Sequence, residues 1–469
     1  MEAARNQKIS NVIIRNFASK SLSIMLLGVA CLKRAGLAAT VALLTFFGFL
    51  SCGGYSNPSS SGTTTSNVKH RVFVSQDVTV GVAGAGFIVV DAAKDIQVKR
   101  ITGGLGVSPV SPTMMVLSDN RQIMLTVDTA GQKVELVNNK AEDFTGSAVD
   151  LQGTTESLAI SVDATKGYAA VPDLPIPQGP PGGVVLIDLT ASQPSITGKV
   201  PVPSAHYLVQ SGDGSKLLVF SDNSNSVTIV SPFNILPGQQ NSTCQSSVCT
   251  VVPGFDRPVF GFFSSDNTQA WILNCGQECG GQQASVQVLN LVNGTAGPPT
   301  PIPGGATVGF IKNQTLYVAG TPVVGSGNET CAGGTPAICG RLTVVDLPSM
   351  TVPGAATGLE IPDGYHTHMD MSSDGQLFVG SRNCTNIVPA KAGDPQRGCL
   401  AILNTTNGNV VIPPDNGDVT GLQPITNRTV VYVIEGGELR IYDTTTDKIY
   451  TKTSIDVFGH TVDVKLVDF

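Results

Sequence analysis

From Val68 to Phe469 the chain alternates between short apolar runs and polar turns, and the same module returns roughly every 40 to 60 residues. Each copy opens with an apolar run, passes a turn of Asp-Gly, Asp-Asn or Asn-Gln type, and ends in an alternating stretch such as Val184 to Leu189. Copies start at Met114, Leu158, Tyr207, Val259, Ala306, His368 and Leu422, with an incomplete one from His70. Apolar residues at period two with turn residues between them predict short antiparallel strands, about four to a copy. Units this small bury their faces only by stacking on neighbours.

The first and last copies are incomplete in complementary ways. The segment from His70 begins where a second strand belongs, and Gly459 to Phe469 reads as a lone first strand with Val462, Val464 and Leu466 alternating. Pairing the two closes a ring and removes open sheet edges. The expected fold is therefore all-β: a single β-propeller of eight four-stranded blades, with seven the alternative, closed by the C-terminal strand pairing with the N-terminal blade. The hairpin segments Ser372 to Ser381, Gly212 to Pro232 and Asn313 to Thr321 resemble the YVTN or YncE-like β-propeller repeat family of exported lipoprotein type. The positions equivalent to Tyr-Val-Thr-Asn read Tyr-Val-Ala-Gly, Phe-Val-Gly-Ser or Val-Phe-Ser-Asp. The resemblance implies a scaffold of many uses and carries over no catalytic residue.

Residues 1–52 are a different kind of sequence. An uncharged apolar run of about 16 residues, Ala35 to Leu50, follows Lys33 and Arg34 and ends in Leu50-Ser51-Cys52-Gly53. It fits a secretory signal and is short for a membrane span. Its end resembles a lipobox, which makes Cys52 the expected acylated residue. Residues 53–67 are nearly all Gly, Ser, Thr, Asn and Pro and read as a flexible tether. The propeller domain is expected over 68–469, and the mature protein is placed on the periplasmic or outer-surface side of a bacterial envelope. Removing the six basic and one acidic residues that precede Cys52 leaves 22 basic and 34 acidic residues, a net charge of −12. That balance argues against nucleic acid and leaves the lipid as the contact with the membrane.

Cysteine usage agrees with export. Eight cysteines fall in near pairs: Cys244 with Cys249, Cys275 with Cys279, Cys331 with Cys339, and Cys384 with Cys399. Local disulfides are the simplest pairing. Cys275 and Cys279 could also form half a zinc site, but no second half lies nearby. If the first strand of each blade runs downward from an upper face, the long connections 172–183, 274–283, 321–340 and 382–398 crowd that upper face; the second and third carry a cysteine pair, and the last carries Cys384 with Cys399 directly after it.

The densest chemistry is Tyr365-His366-Thr367-His368-Met369-Asp370. In a strand the side-chain period is two, so His366, His368 and Asp370 share one face, an arrangement able to present two imidazoles and a carboxylate to a divalent metal. With His206 and His460 at similar places in their own copies, His206, Tyr365, His366, His368, Asp370 and His460 form the candidate ligand set at the upper mouth. No cofactor is otherwise expected, and no Gly-x-Ser-x-Gly elbow, His-Glu-x-x-His helix or Walker loop is present. Three functions remain open. One is a non-enzymatic envelope scaffold for an unknown protein or small molecule; one is a metal-dependent, lactonase-like hydrolase using His366, His368 and Asp370; one is a structural or adhesion protein.

Overall fold

Among the described residues every strand belongs to one of eight four-stranded antiparallel sheets. The computed structural model describes residues 65–77, 86–102, 112–128, 131–191, 193–235, 243–322, 339–354, 358–384, 398–413, 417–450, 455, 457 and 460–467. Cys52, Cys331, the apolar run and most of the tether lie outside these residues. Blade 1 is β1 (Arg71–Asp77), β2 (Gly86–Asp91), β3 (Ile96–Thr102) and the C-terminal β32 (His460–Leu466). Blades 2 to 8 follow as consecutive meanders beginning with β4 (Pro112–Leu117), β8 (Ser157–Ile160), β12 (Ala205–Gln210), β16 (Pro258–Phe263), β20 (Val308–Lys312), β24 (Tyr365–Met371) and β28 (Val419–Pro424). Strand β32 pairs antiparallel with β1, Val464 opposite Val74 and Leu466 opposite Val72, so the expected closure is observed and the blade number is eight.

The core is divided rather than central. Eight apolar clusters lie one at each blade-to-blade interface, including Val72, Ile88, Tyr432 and Ile434 between blades 8 and 1. Middle strands are covered on both faces, as in the fully buried Gly86–Asp91 and Val430–Glu435. Their continuous apolar character follows from that position. Each buried Val, Leu or Ile contributes about 1.5–3 kcal/mol relative to exposure. A blade lacking one neighbour would leave a whole interface wet, which is why the ring must close.

The turn between first and second strands is built from a recurring serine. Ser161 Oγ donates to Asp163 at 2.6 Å, Ser211 to Asp213 at 2.7 Å and Ser264 to Asp266 at 2.6 Å, and each carboxylate also accepts the amide two residues on. These bonds to the charged form hold all three carboxyls low, with Asp213 pulled by Ser211 to about 2. These turns mark the lower face. The connections between second and third strands, 172–182, 275–284, 321–339 and 383–399, mark the upper one. Disulfides join Cys244 to Cys249, Cys275 to Cys279 and Cys384 to Cys399. Cys339 is disulfide-bonded as well, while its expected partner Cys331 lies outside the described residues.

Candidate functional site at the upper mouth

The upper end of the first strand carries an irregularity in six of the eight blades. Register shifts fall between Pro112 and Met114, Ala205 and Tyr207, Pro258 and Phe260, His366 and His368, and Val419 and Gly421, and β32 shifts opposite Val74 and Gln76. A bulge inserts one residue and re-aims its side chain. The inserted residues His206, Thr367, Thr420 and Val462 all line one cavity of about 640 Å³ at the mouth of the channel. Glu156, Tyr207, His368 and Arg382 line it with them.

The bulge in β24 overturns the expected metal face. His366 pairs with Ser381, whereas His368 pairs with Gly380 and Asp370 with Phe378. Ser381 and Gly380 are consecutive and point to opposite faces, so His366 faces away from His368 and Asp370. His366 is 1% exposed, and its Nε2 lies 3.0 Å from the Pro362 carbonyl. Burial holds its pKa down at about 4, against the Pro362 contact and Asp363, so the ring is neutral and Nε2–H donates. His368 bonds through Nδ1 to Thr367 Oγ1 at 2.8 Å; burial, with Lys465 and Arg382 nearby, depresses it to about 3. Asp370 accepts from the Met371 amide at 2.7 Å, and burial raises its pKa. Among the described residues no group of three or more His, Cys, Asp or Glu side chains is arranged to hold a metal. His460 is exposed and packs on the Gly437 turn of blade 8, away from the mouth lining.

His206 is the one candidate histidine carrying a strong polar network. Its Nδ1 stands 2.6 Å from Asp222 Oδ1, its Nε2 3.4 Å from Glu156 Oε2, and its ring stacks on Tyr207 with centroids 4.3 Å apart. The bond to Glu156 raises its pKa most; burial opposes this, and Asp222 adds to the rise. Glu156 is held low in return, chiefly by His206. Tyr207 and Tyr365 line the same space beside them, and burial raises both hydroxyls. Behind them a cavity of about 130 Å³ is lined by His206, Asp222, Arg257, Tyr365 and Cys279.

The disulfide loop of blade 5 inserts an acid beside this cluster. Glu278 sits on the short 3-10 turn Gly276–Cys279 and accepts from the Thr321 amide at 2.9 Å. Burial pushes its carboxyl up to about 8 against that hydrogen bond. The space exists because residue 305 is glycine: a Cβ there would stand 1.8 Å from Glu278 Oε2. The mouth therefore offers a guanidinium, an imidazole, two phenols and carboxylates to a polar ligand. Sequence reasoning placed Tyr365, His206 and His368 near the mouth, and the structure puts them there. It missed Glu156, Tyr207, Asp222, Glu278 and Arg382, which come from four blades and share no motif.

No protein-family model and no curated protein sequence matches the chain. Some solved structures are similar to it. A dihydro-heme d1 dehydrogenase, NirN, in complex with DHE is 11% identical, with 86% of this chain and 75% of that chain covered and a TM-score of 0.55. The periplasmic gluconolactonase PpgL of Pseudomonas aeruginosa is 15% identical, with 85% and 98% covered and a TM-score of 0.46. The Kuenenia stuttgartiensis hydrazine synthase is 13% identical, with 74% and 99% covered and a TM-score of 0.48. The chain is an eight-bladed β-propeller. At these identities the likeness is one of fold, and function has to be argued from the site.

Proposed function

We propose that this propeller is an exported, lipid-anchored binding protein of the YVTN or YncE-like type, and that its upper mouth takes a small polar ligand. The observation that carries the reading is the convergence of bulge residues His206, Thr367 and Thr420 with Arg382 and Tyr207 on one cavity of about 640 Å³. That size suits a small-molecule site, and a few convergent polar groups on rigid strands are what such a site needs. Arg382 Nε is buried with no hydrogen-bond partner among the described residues, so a ligand reaching that guanidinium would meet a donor the fold leaves unused. The apolar leader supports anchorage through Cys52 in the bacterial envelope, and the acidic domain supports a partner other than nucleic acid. Ser66 supports this geometry: Glu142 in the turn after the third strand of blade 2 holds it at the lower rim, opposite the mouth.

A second reading, a hydrolase, is favoured by the 2.6 Å His206–Asp222 pair. Both ring nitrogens of that histidine are already engaged, Nδ1 by Asp222 and Nε2 by Glu156, so binding is the better supported reading. Two experiments test the proposal. Cys52→Ser is expected to move the protein from the membrane to the soluble fraction, and unchanged membrane fractionation contradicts lipid anchorage. A metabolite panel screened by thermal shift is expected to yield a polar hit abolished by Arg382→Ala, whereas hits indifferent to that change contradict binding at the mouth.

A further inference from the structure

The lower face holds a second cavity, of about 950 Å³, that the upper mouth does not use. It runs from the lower end of the channel, at Gln210 and Phe262, outward between blades 5 and 6 to Trp271 and Met350. Its origin is a shortened turn. In blades 3, 4 and 5 a serine-capped turn spans the first two strands, with the Ser161, Ser211 and Ser264 amides donating to the carbonyls of Lys166, Lys216 and Gln269. In blade 6 Lys312 pairs directly with Thr315, and only Asn313 and Gln314 connect the strands. Asn313 takes φ 58°, the left-handed backbone that such a two-residue hairpin requires. Without the longer turn, the flank of blade 5 stays open and Trp271 remains partly exposed.

The lining has a specific chemical character. Phe260 and Phe262 meet edge to face at 5.2 Å, and Trp271, cross-strand from Phe262, extends the aromatic wall, while Phe263 faces blade 4. Gln210, Gln269, Asn313 and Gln314 bring four neutral amides to the rim. Gln210 Nε2 is buried with no hydrogen-bond partner among the described residues. Among the described residues no lysine, arginine or histidine lines the cavity, and the single carboxylate among them, Asp266, is already engaged by the Ser264 hydroxyl, the Thr268 amide and the Thr268 hydroxyl.

These features select among ligand classes. A charged ligand would lose its hydration with no counter-charge to meet it. A wholly apolar ligand would strip water from the amides and leave them unpaired. A molecule with apolar ring faces and an uncharged hydroxyl rim satisfies both walls, and the volume lies within the range of small-ligand sites. We propose that the cavity between blades 5 and 6 is a binding site for a neutral short oligosaccharide, with Trp271 as its stacking platform and Asn313, Gln314 and Gln269 as its hydrogen-bonding rim. The site is independent of the reading of the upper mouth.

Trp271 is the only tryptophan in the chain, so intrinsic fluorescence reports on this cavity directly. The test titrates the propeller with maltotriose, cellotriose and chitotriose, with glucuronate as the charged control. At least one neutral trisaccharide is expected to give a saturable change in emission, with glucuronate giving none. Gln314→Ala should weaken that response about tenfold, the loss of roughly one ligand hydrogen bond. Grafting the six-residue turn of blade 5 in place of Asn313 and Gln314 should abolish it while the far-ultraviolet circular dichroism is kept. Arg382→Ala, at the opposite mouth, should leave it unchanged. Silence toward all three trisaccharides at millimolar concentration, an equal response to glucuronate, or a response removed by Arg382→Ala and indifferent to Gln314→Ala would each overturn the assignment.

Discussion

Removing the Glu142 carboxylate is the sharpest test of how the ring is held where the chain enters it. Glu142 is fully buried in the turn between β6 (Lys133–Asn138) and β7 (Asp143–Asp150), and it faces two cations of blade 1. Arg71 Nη1 lies 3.0 Å from one carboxylate oxygen and Lys99 Nζ 3.2 Å from the other, with both cationic side chains under 10% exposed. The Ser66 amide donates to the same carboxylate at 2.7 Å, and the Ser66 hydroxyl donates as well. Glu142→Ala would leave two buried cations without this acid, and breaking a buried pair on one side costs about 3–5 kcal/mol. Replacing Glu142, Arg71 and Lys99 together by methionine removes the charges as a set and should cost far less than the single change. The pH dependence has a fixed sign. Burial raises the Glu142 pKa, but the bonds from Ser66, Arg71 and Lys99 outweigh it and the net shift is downward. Its contribution is therefore present above the ordinary glutamate value of about 4.3 and is lost as pH falls through the lower folded value. Urea unfolding followed by circular dichroism, at neutral pH and along the acid limb, measures both effects. A single-variant loss below about 1 kcal/mol, or a triple variant as damaged as the single one, would refute the argument from the lost carboxylate.

Other consequences can be checked in parallel. The His206 ring should titrate above 6.5 by NMR, while His366 and His368 stay neutral down to about 4 and 3. Because the His206 value is raised, its stabilisation is complete below the unfolded pKa of about 6.5 and is lost as pH rises through the folded value; Asp222→Asn should lower that midpoint, and a midpoint at or below 6.5 in the wild type contradicts the network. Replacing Cys384 and Cys399 together by serine opens a loop with a sequence separation of 15 residues. That should lower stability by about 3 kcal/mol in denaturant titrations, and an unchanged midpoint would show that the bridge constrains nothing.

Much of the architecture was legible because it rests on period-two alternation, which neighbouring blades reinforce. The complementary ends, Val72 and Val74 against Leu466 and Val464, announce the closing strand by their apolar pattern alone. Three of the four local cysteine pairings are likewise observed among the described residues. The candidate site was less legible for a physical reason. A bulge depends on pairing with the next strand, and nothing in His366-Thr367-His368 marks Thr367 as the inserted residue. One insertion reverses every face upstream of it, so His366 moved into the core and the expected three-ligand metal face dissolved. Glu156, Asp222 and Arg382 lie far apart in sequence and meet only through the ring. The lower cavity had one local signal, the short Asn-Gln turn, but its aromatic wall belongs to the preceding blade.

The central claim, a small polar ligand held at the upper mouth, is tested most directly by isothermal titration of the strongest hit from the thermal-shift panel into the wild type, Arg382→Ala, Tyr207→Phe and Gln314→Ala. Saturable one-site binding is expected, abolished by Arg382→Ala, weakened by Tyr207→Phe and left intact by Gln314→Ala. Equal affinity for the wild type and Arg382→Ala would contradict it and remove the mouth as the binding site.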